Sequence, residues 1–339
     1  MRASRRAVLA FTLAAGALAS STAFAEEPLK IRIGWGSMPA HLIPALYVDK
    51  TPLKHYGKSY TVEPVRFGGS TPQITALASG DIDLAAFSPA AFVLGIVNAR
   101  LDLRVVADVL QDGKPGHYSQ SIYVKADGPI KTVQDLKGKI VAVNAIGSAV
   151  DNAVRAMLAK NGMDPKKDVR VIEASFANVL PMLNDGKIDA GPVQQPMASE
   201  LVKQGKLRLL FSSADAMGPT QFVFLVGRKK FLDEHKEALQ DFFEDHVRAI
   251  RWITDPKNRD KALPIIAKES VRPVEQMNYL FTDLDYFRDP SAMPDIPALQ
   301  QAIDVSADLE VVPKTIKVSP DYLDLSFVEE AKKRIDANP

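Results

Sequence analysis

The chain has 339 residues and no cysteine. Disulfides, thiolate metal sites and cysteine nucleophiles are therefore excluded, as is a lipid-modified cysteine after export. An excess of one charge is missing too, with 42 Lys+Arg against 41 Asp+Glu. Nucleic acid or an anionic membrane would meet no broad attractive field. Past the first 25 residues, no apolar run reaches the length of a membrane span. There is no Gly-x-Ser-x-Gly elbow, no phosphate-binding P-loop and no Gly-x-Gly-x-x-Gly after a strand. None of the five histidines (His41, His55, His117, His235 and His246) stands at His-x-x-x-His metal spacing. No cofactor or metal is expected, and no catalytic constellation stands out. The sequence points to binding and away from an enzyme.

What is present begins with an export signal. Arg2, Arg5 and Arg6 precede an apolar run from Ala7 to Ala19, and Ala23-Phe24-Ala25 fits a small-x-small cleavage site. Residues 1–25 are expected to be removed, leaving Glu26 first. Ser4-Arg5-Arg6-Ala7-Val8-Leu9 also resembles a twin-arginine signal, so either export route is open. Loss of three arginines leaves 39 Lys+Arg against 41 Asp+Glu. In a double-membraned bacterium the expected location is the periplasm. The remaining length suits about two domains.

One stretch occurs twice. Leu77-Ala78-Ser79-Gly80-Asp81-Ile82-Asp83 is echoed by Leu183-Asn184-Asp185-Gly186-Lys187-Ile188-Asp189. Small and apolar residues follow each copy, then a polar residue and proline. Each reads as a helix closed by glycine, followed by a short buried strand and a loop. A unit repeated once predicts two similar α/β lobes with a ligand cleft between them.

The early strands end alike. Lys30–Trp35, Thr61–Phe67 and Leu84–Phe87 lead to Ser37, Ser70 and Ser88, each with proline one or two residues on. These are helix-start signals. Helix starts expose unpaired N–H groups with partial positive charge, so several converging make an anion site without a lysine. Helices are predicted over Ala40–Val48, Gln73–Ser79, Lys131–Lys139 and Ala149–Asn161. A further one is predicted over Phe231–Thr254, with His235 and His246 at its surface. Gln221–Val226 reads as a return crossing to the first lobe. Ser326-Phe327-Val328-Glu329 has capping-box spacing before a last helix. His41 and His117 stand near the loops assigned to the cleft.

Ile31-Arg32-Ile33-Gly34-Trp35, the two Gly-x-Ile-Asp stretches, Ile130–Lys139 and Leu325–Glu330 together resemble the exported solute-binding proteins of ABC importers. The group is the one that binds sulfonates, taurine, nitrate and thiamine precursors. The resemblance implies a two-lobed α/β periplasmic binding protein, type II-like, each lobe a mixed, mainly parallel sheet flanked by helices. Lobe 1 would take residues 28–118 and 221–339, and lobe 2 residues 119–220. A small organic anion and an inner-membrane ABC permease are the implied partners, with no nucleic acid and a monomeric chain.

The family's ligand loops fall on Gly36-Ser37-Met38, Gly69-Ser70-Thr71, Ser88 and Gly147-Ser148, with Trp35 and Phe67 or Phe176 as packing aromatics. One departure stands out. After the echo, relatives often carry Trp, an acidic residue and Pro, where this chain has Gln194-Gln195-Pro196. Amides in place of an aromatic wall suggest a more polar contact. A pyrimidine-type thiamine precursor, held by stacking and by Gln194, is the alternative ligand, and a ligand-presenting sensor the alternative role. The related pyrimidine-synthesising enzyme carries a cysteine-rich motif that this chain lacks.

Overall fold

The computed structural model describes residues 27–338, so the expected export signal lies outside the described residues. In chain order the strands are β1 (Leu29–Trp35), β2 (Tyr60–Arg66), β3 (Leu84–Phe87), β4 (Leu103–Asp112), β5 (Ser121–Lys125), β6 (Ile140–Val143), β7 (Arg170–Glu173), β8 (Gly191–Pro192), β9 (Leu207–Ser212) and β10 (Thr220–Arg228). The helices that frame or support the cleft are α1 (Thr71–Ser79), α2 (Pro89–Val97), α3 (Ala149–Lys160), α4 (Phe176–Asn184), α5 (Lys236–Thr254), α6 (Arg259–Ser270) and α7 (Ser326–Ala337).

The first sheet has the order β2-β1-β3-β10-β4. β1 runs parallel to β2 and β3, while β10 is antiparallel to β3 and β4. The second half repeats this plan. β6 pairs parallel with β7, β5 pairs antiparallel with β8 and β9, and one parallel bridge, Val141 to Ala190, joins the two groups. The resulting order is β7-β6-β8-β5-β9. The antiparallel strand of each sheet, β5 or β10, is the one that enters from the other half. β3 is buried along its whole length, as its unbroken run of apolar residues requires.

The repeated motif performs one structural task twice. Gly80 and Gly186 take the left-handed turn at φ +82° and +67°. The aspartate three residues later then clamps a neighbouring parallel strand of its sheet, β1 or β6. The Asp83 N–H donates to Arg32 O (2.8 Å), and Asp83 Oδ2 accepts from the Arg32 N–H (2.9 Å). Asp189 does the same to Ile140, at 2.8 and 2.9 Å. Both aspartates precede their strands, at the end away from the loops that follow β3 and β8.

The third layer is helical. α5 buries Leu239, Phe242, Phe243 and Ile250, and Phe327 of α7 stacks on Phe243 with ring centroids 5.3 Å apart. Several expected elements differ. Ala40–Val48 yields only the short helix Ile43–Leu46, and Ser37 caps nothing. Lys131–Lys139 contracts to a 3-10 turn, Val133–Leu136, closed by a Thr132–Asp135 capping box. Phe231–Thr254 is interrupted at His235, where a first helix, Lys229–Glu234, ends. Ser326 does not cap α7; its hydroxyl donates to Asp324. His246 is buried, because it faces Phe242 and its Nδ1 shares a hydrogen bond with the Tyr47 hydroxyl at 2.7 Å. Burial holds its pKa down at about 4, so it is neutral.

Candidate ligand-binding cleft

The loops after β1, β2 and β6 meet the start of α4 and the residues after β8 around a cavity of about 70 Å³. One water needs about 10–15 Å³ of such space. The cavity therefore takes several waters or one small chemical group. Its apolar wall includes Val150, Phe176, Phe222, Tyr279 and Tyr286, and no Lys, Arg, Asp or Glu lines it among the described residues.

Polar groups enter from both halves. α1 begins at the lining residues Gly68-Gly69-Ser70, and α3 begins at Ser148-Ala149-Val150. The N–H groups of Gly69, Ser70, Ala149 and Val150 have no hydrogen-bond partner among the described residues. The hydroxyl oxygens beside them already accept hydrogen bonds. Ser70 Oγ accepts from the Ser88 N–H (2.9 Å), and Ser148 Oγ accepts from the Asp151 N–H (3.2 Å) and donates to Asn144 (2.9 Å). The free backbone donors thus sit at two helix starts, where the helix dipole adds positive potential, and the Ser70 O–H and the Tyr118 hydroxyl of the lining also find no acceptor among the described residues.

His41 supplies another donor. Burial, reinforced by the charge of Arg288, lowers its pKa to about 4. Its Nδ1 accepts from the Gly36 N–H at 3.2 Å, so the neutral ring carries its proton on Nε2. That Nε2–H has no partner among the described residues. A third wall rests on the crossing strands. Asp112, pushed up to about 7 by burial, accepts from the Gln120 N–H (2.7 Å), and Gln120 Oε1 accepts from the Tyr286 hydroxyl (2.6 Å).

Of the residues singled out in the sequence, Gly36, Ser37, His41, Gly69, Ser70, Ser148, Phe176, Gln194 and Gln195 line the cavity. Trp35, Met38 and Phe67 lie in an outer cleft that continues from it. Thr71, Ser88 and Gly147 sit elsewhere, on the seam between the halves. Thr71 Oγ1 donates to Ile146 O (2.8 Å) and Ser88 Oγ to Gly147 O (2.9 Å), so they hold one half against the other. Gln194 also spans the cleft: its Nε2 donates to Ser37 Oγ at 2.6 Å. His117 is exposed, edge-on to Phe287 and outside the cavity lining. Tyr118, Gln120, Tyr279, Leu284 and Tyr286 were not legible as lining residues. They come from the crossing segment and a C-terminal stretch with no periodic pattern. The stretch is carried in by Arg288, which donates to Pro39 O (3.2 Å) and Ala40 O (3.0 Å), and by the Tyr118 N–H to Asp285 O (2.9 Å).

Residues 25–267 match the NMT1-like family. The chain belongs to that family. An Escherichia coli K12 protein named for binding aliphatic sulfonates is 25% identical over 316 residues, 90% of this chain and 92% of its own. The alkanesulfonate-binding protein SsuA of Xanthomonas axonopodis, solved bound to MOPS, superposes with a TM-score of 0.68 at 22% identity, covering 88% of this chain and 99% of that one. The periplasmic nitrate-binding protein NrtA of Synechocystis gives 0.68 at 16% identity, covering 92% and 90%. The same fold occurs in an enzyme, the desulfurization enzyme DSZB, at 0.60 and 14% identity over 91% and 99%. The two-lobed α/β architecture of this NMT1-like chain is that of the periplasmic binding proteins.

Proposed function

We propose that the protein is a periplasmic receptor of an ABC importer. It captures a small organic anion, a sulfonate or carboxylate, between its lobes and hands it to a membrane permease. One observation carries the ligand class. Two helix starts from opposite lobes bring unpaired N–H groups to the lining of a cavity that has apolar walls and, among the described residues, no charged side chain. Such a site suits an anionic head with an apolar body, since backbone dipoles can hold an anion without a formal counter-charge. His41 Nε2–H is the side-chain donor we assign to it.

The two sheets are joined by β10 and by the β4–β5 connection, which supports hinge closure of lobes bounded near residues 118 and 220. That the chain offers no cysteine nucleophile supports the receptor reading over a hydrolase.

Thermal unfolding against sulfonates, carboxylates, nitrate and pyrimidines tests the reading. A ligand at a hundred times its Kd adds about 2.7 kcal/mol. Organic anions should raise Tm, and pyrimidines should not. A shift with pyrimidines alone would refute the anion site.

A further inference from the structure

We propose that the outer cleft is a second anion subsite, so that the preferred ligand is an elongated dianion. This rests on the receptor reading above and narrows its ligand. The inner cavity is small, but it opens past Gly36, Ser37, Gly68, Phe176 and Gln194 into an outer cleft of about 760 Å³. A ligand larger than one small group must extend through that neck.

The outer cleft differs from the inner cavity in charge. Arg66, at the end of β2, is exposed, lies 5.7 Å from the Trp35 ring and has no carboxylate partner among the described residues. Arg272 enters from the turn after α6. It donates to Gln194 Oε1 at 3.2 Å and likewise pairs with no carboxylate among the described residues. Val271 ends α6 at φ +54°, a region that β-branched residues rarely enter. That turn sets Arg272 against the cleft. Glu269 is the one acidic residue along the same wall, against two guanidinium groups. The same cleft is also lined by Phe67, Leu180 and Met197, apolar surface for the part of a ligand that joins two charged ends.

A guanidinium fork accepts a carboxylate through two parallel hydrogen bonds. The distal carboxylate would take the place of Gln194 Oε1 as acceptor for Arg272. The inner head would remain at the helix starts.

Calorimetry on the mature chain, with matched pairs of probes, tests this. Benzenesulfonate is compared with para-sulfobenzoate. Butanesulfonate and hexanesulfonate are compared with the same chains ending in a carboxylate. The readout is the ratio of Kd values within a pair, which cancels any general effect on cleft closure. At least one carboxylated probe should bind roughly tenfold tighter than its parent at about 50 mM salt, with a smaller gain at high salt. The ratio should fall towards one in Arg66→Gln and in Arg272→Gln. Parents that bind while no carboxylated probe gains would overturn the subsite, as would a gain that survives both substitutions. If neither parents nor carboxylated probes bind, the organic-anion reading itself fails and the subsite with it.

Discussion

Gly69 offers a direct test of whether binding closes the lobes to the geometry seen here. A Cβ built on Gly69 would stand 2.8 Å from the Ala145 Cβ and 3.1 Å from Asn144 Nδ2, both in the opposite lobe. Carbon atoms pack best at about 3.5–4.0 Å. Gly69→Ala therefore forces the lobes apart locally by about 1 Å. The seam bonds from Thr71 and Ser88, at 2.8 and 2.9 Å, would then stretch beyond useful length. Each is worth about 1 kcal/mol net, so the closed state loses about 2 kcal/mol. The open state loses nothing, because Gly69 has no positive φ and the new methyl meets only the other lobe. Affinity should drop by roughly thirtyfold, at about 1.4 kcal/mol per decade, while Tm without ligand stays put. Calorimetry gives the affinities, and small-angle scattering with and without ligand reports closure. Wild-type affinity in Gly69→Ala would refute the argument, for the bound lobes would then lie further apart than they do here.

The two echoed aspartates should differ in weight despite their shared role. Asp83 is nearly buried and takes two further bonds from Arg32, whereas the side chain of Asp189 is 33% exposed and its nearest cation, Lys139, stands 4.0 Å away. Asp83→Ala should cost about 3–4 kcal/mol and Asp189→Ala about 1–2 in urea denaturation; equal losses would contradict the assignment. Asp245 is fully buried and accepts from the Lys54, His55 and Tyr56 N–H groups and the Tyr60 hydroxyl. Asp245→Ala should lower stability by about 3–5 kcal/mol with little effect on affinity in the surviving folded fraction. A neutral His41 predicts anion affinity that is flat from about pH 8 to pH 5.5; a rise of roughly tenfold on acidification would mean that the ring is charged. His246 stays neutral down to about 4, while an unfolded histidine gains a proton below about 6.5. Its share of stability is lost as pH falls across that window, by a limit of about 3 kcal/mol. His246→Phe should flatten the stability–pH curve there, and a wild-type-to-variant gap that stays constant across the window would exclude the effect.

Local chemistry was legible in the sequence wherever one residue settles it. Gly80 and Gly186 end helices because glycine alone enters the left-handed turn freely, and the apolar run of β3 could only be an interior strand. The repeat of the sheet plan followed from the echo. What escaped was set by partners distant in sequence. Ser37 reads as a cap, yet it faces Gln194; His246 reads as a surface position, yet Tyr47 covers it. The tyrosines at 279 and 286 line the cavity only because Arg288 reaches the carbonyls of residues 39 and 40.

The division of donors between lobes bears on how such a site releases its ligand. One helix start belongs to the half that contains β2, and the other follows β6. Neither set of N–H groups alone surrounds an anion, and among the described residues no lysine or arginine lines the inner cavity to keep hold of it once the lobes part. Opening therefore halves the polarised donors and admits water in the same motion. A fixed cation would retain its attraction in the open state and slow escape. Under the receptor role proposed above, two dipoles on separate bodies make the hold on the inner head a property of closure, while the arginines of the outer cleft would keep only the distal charge.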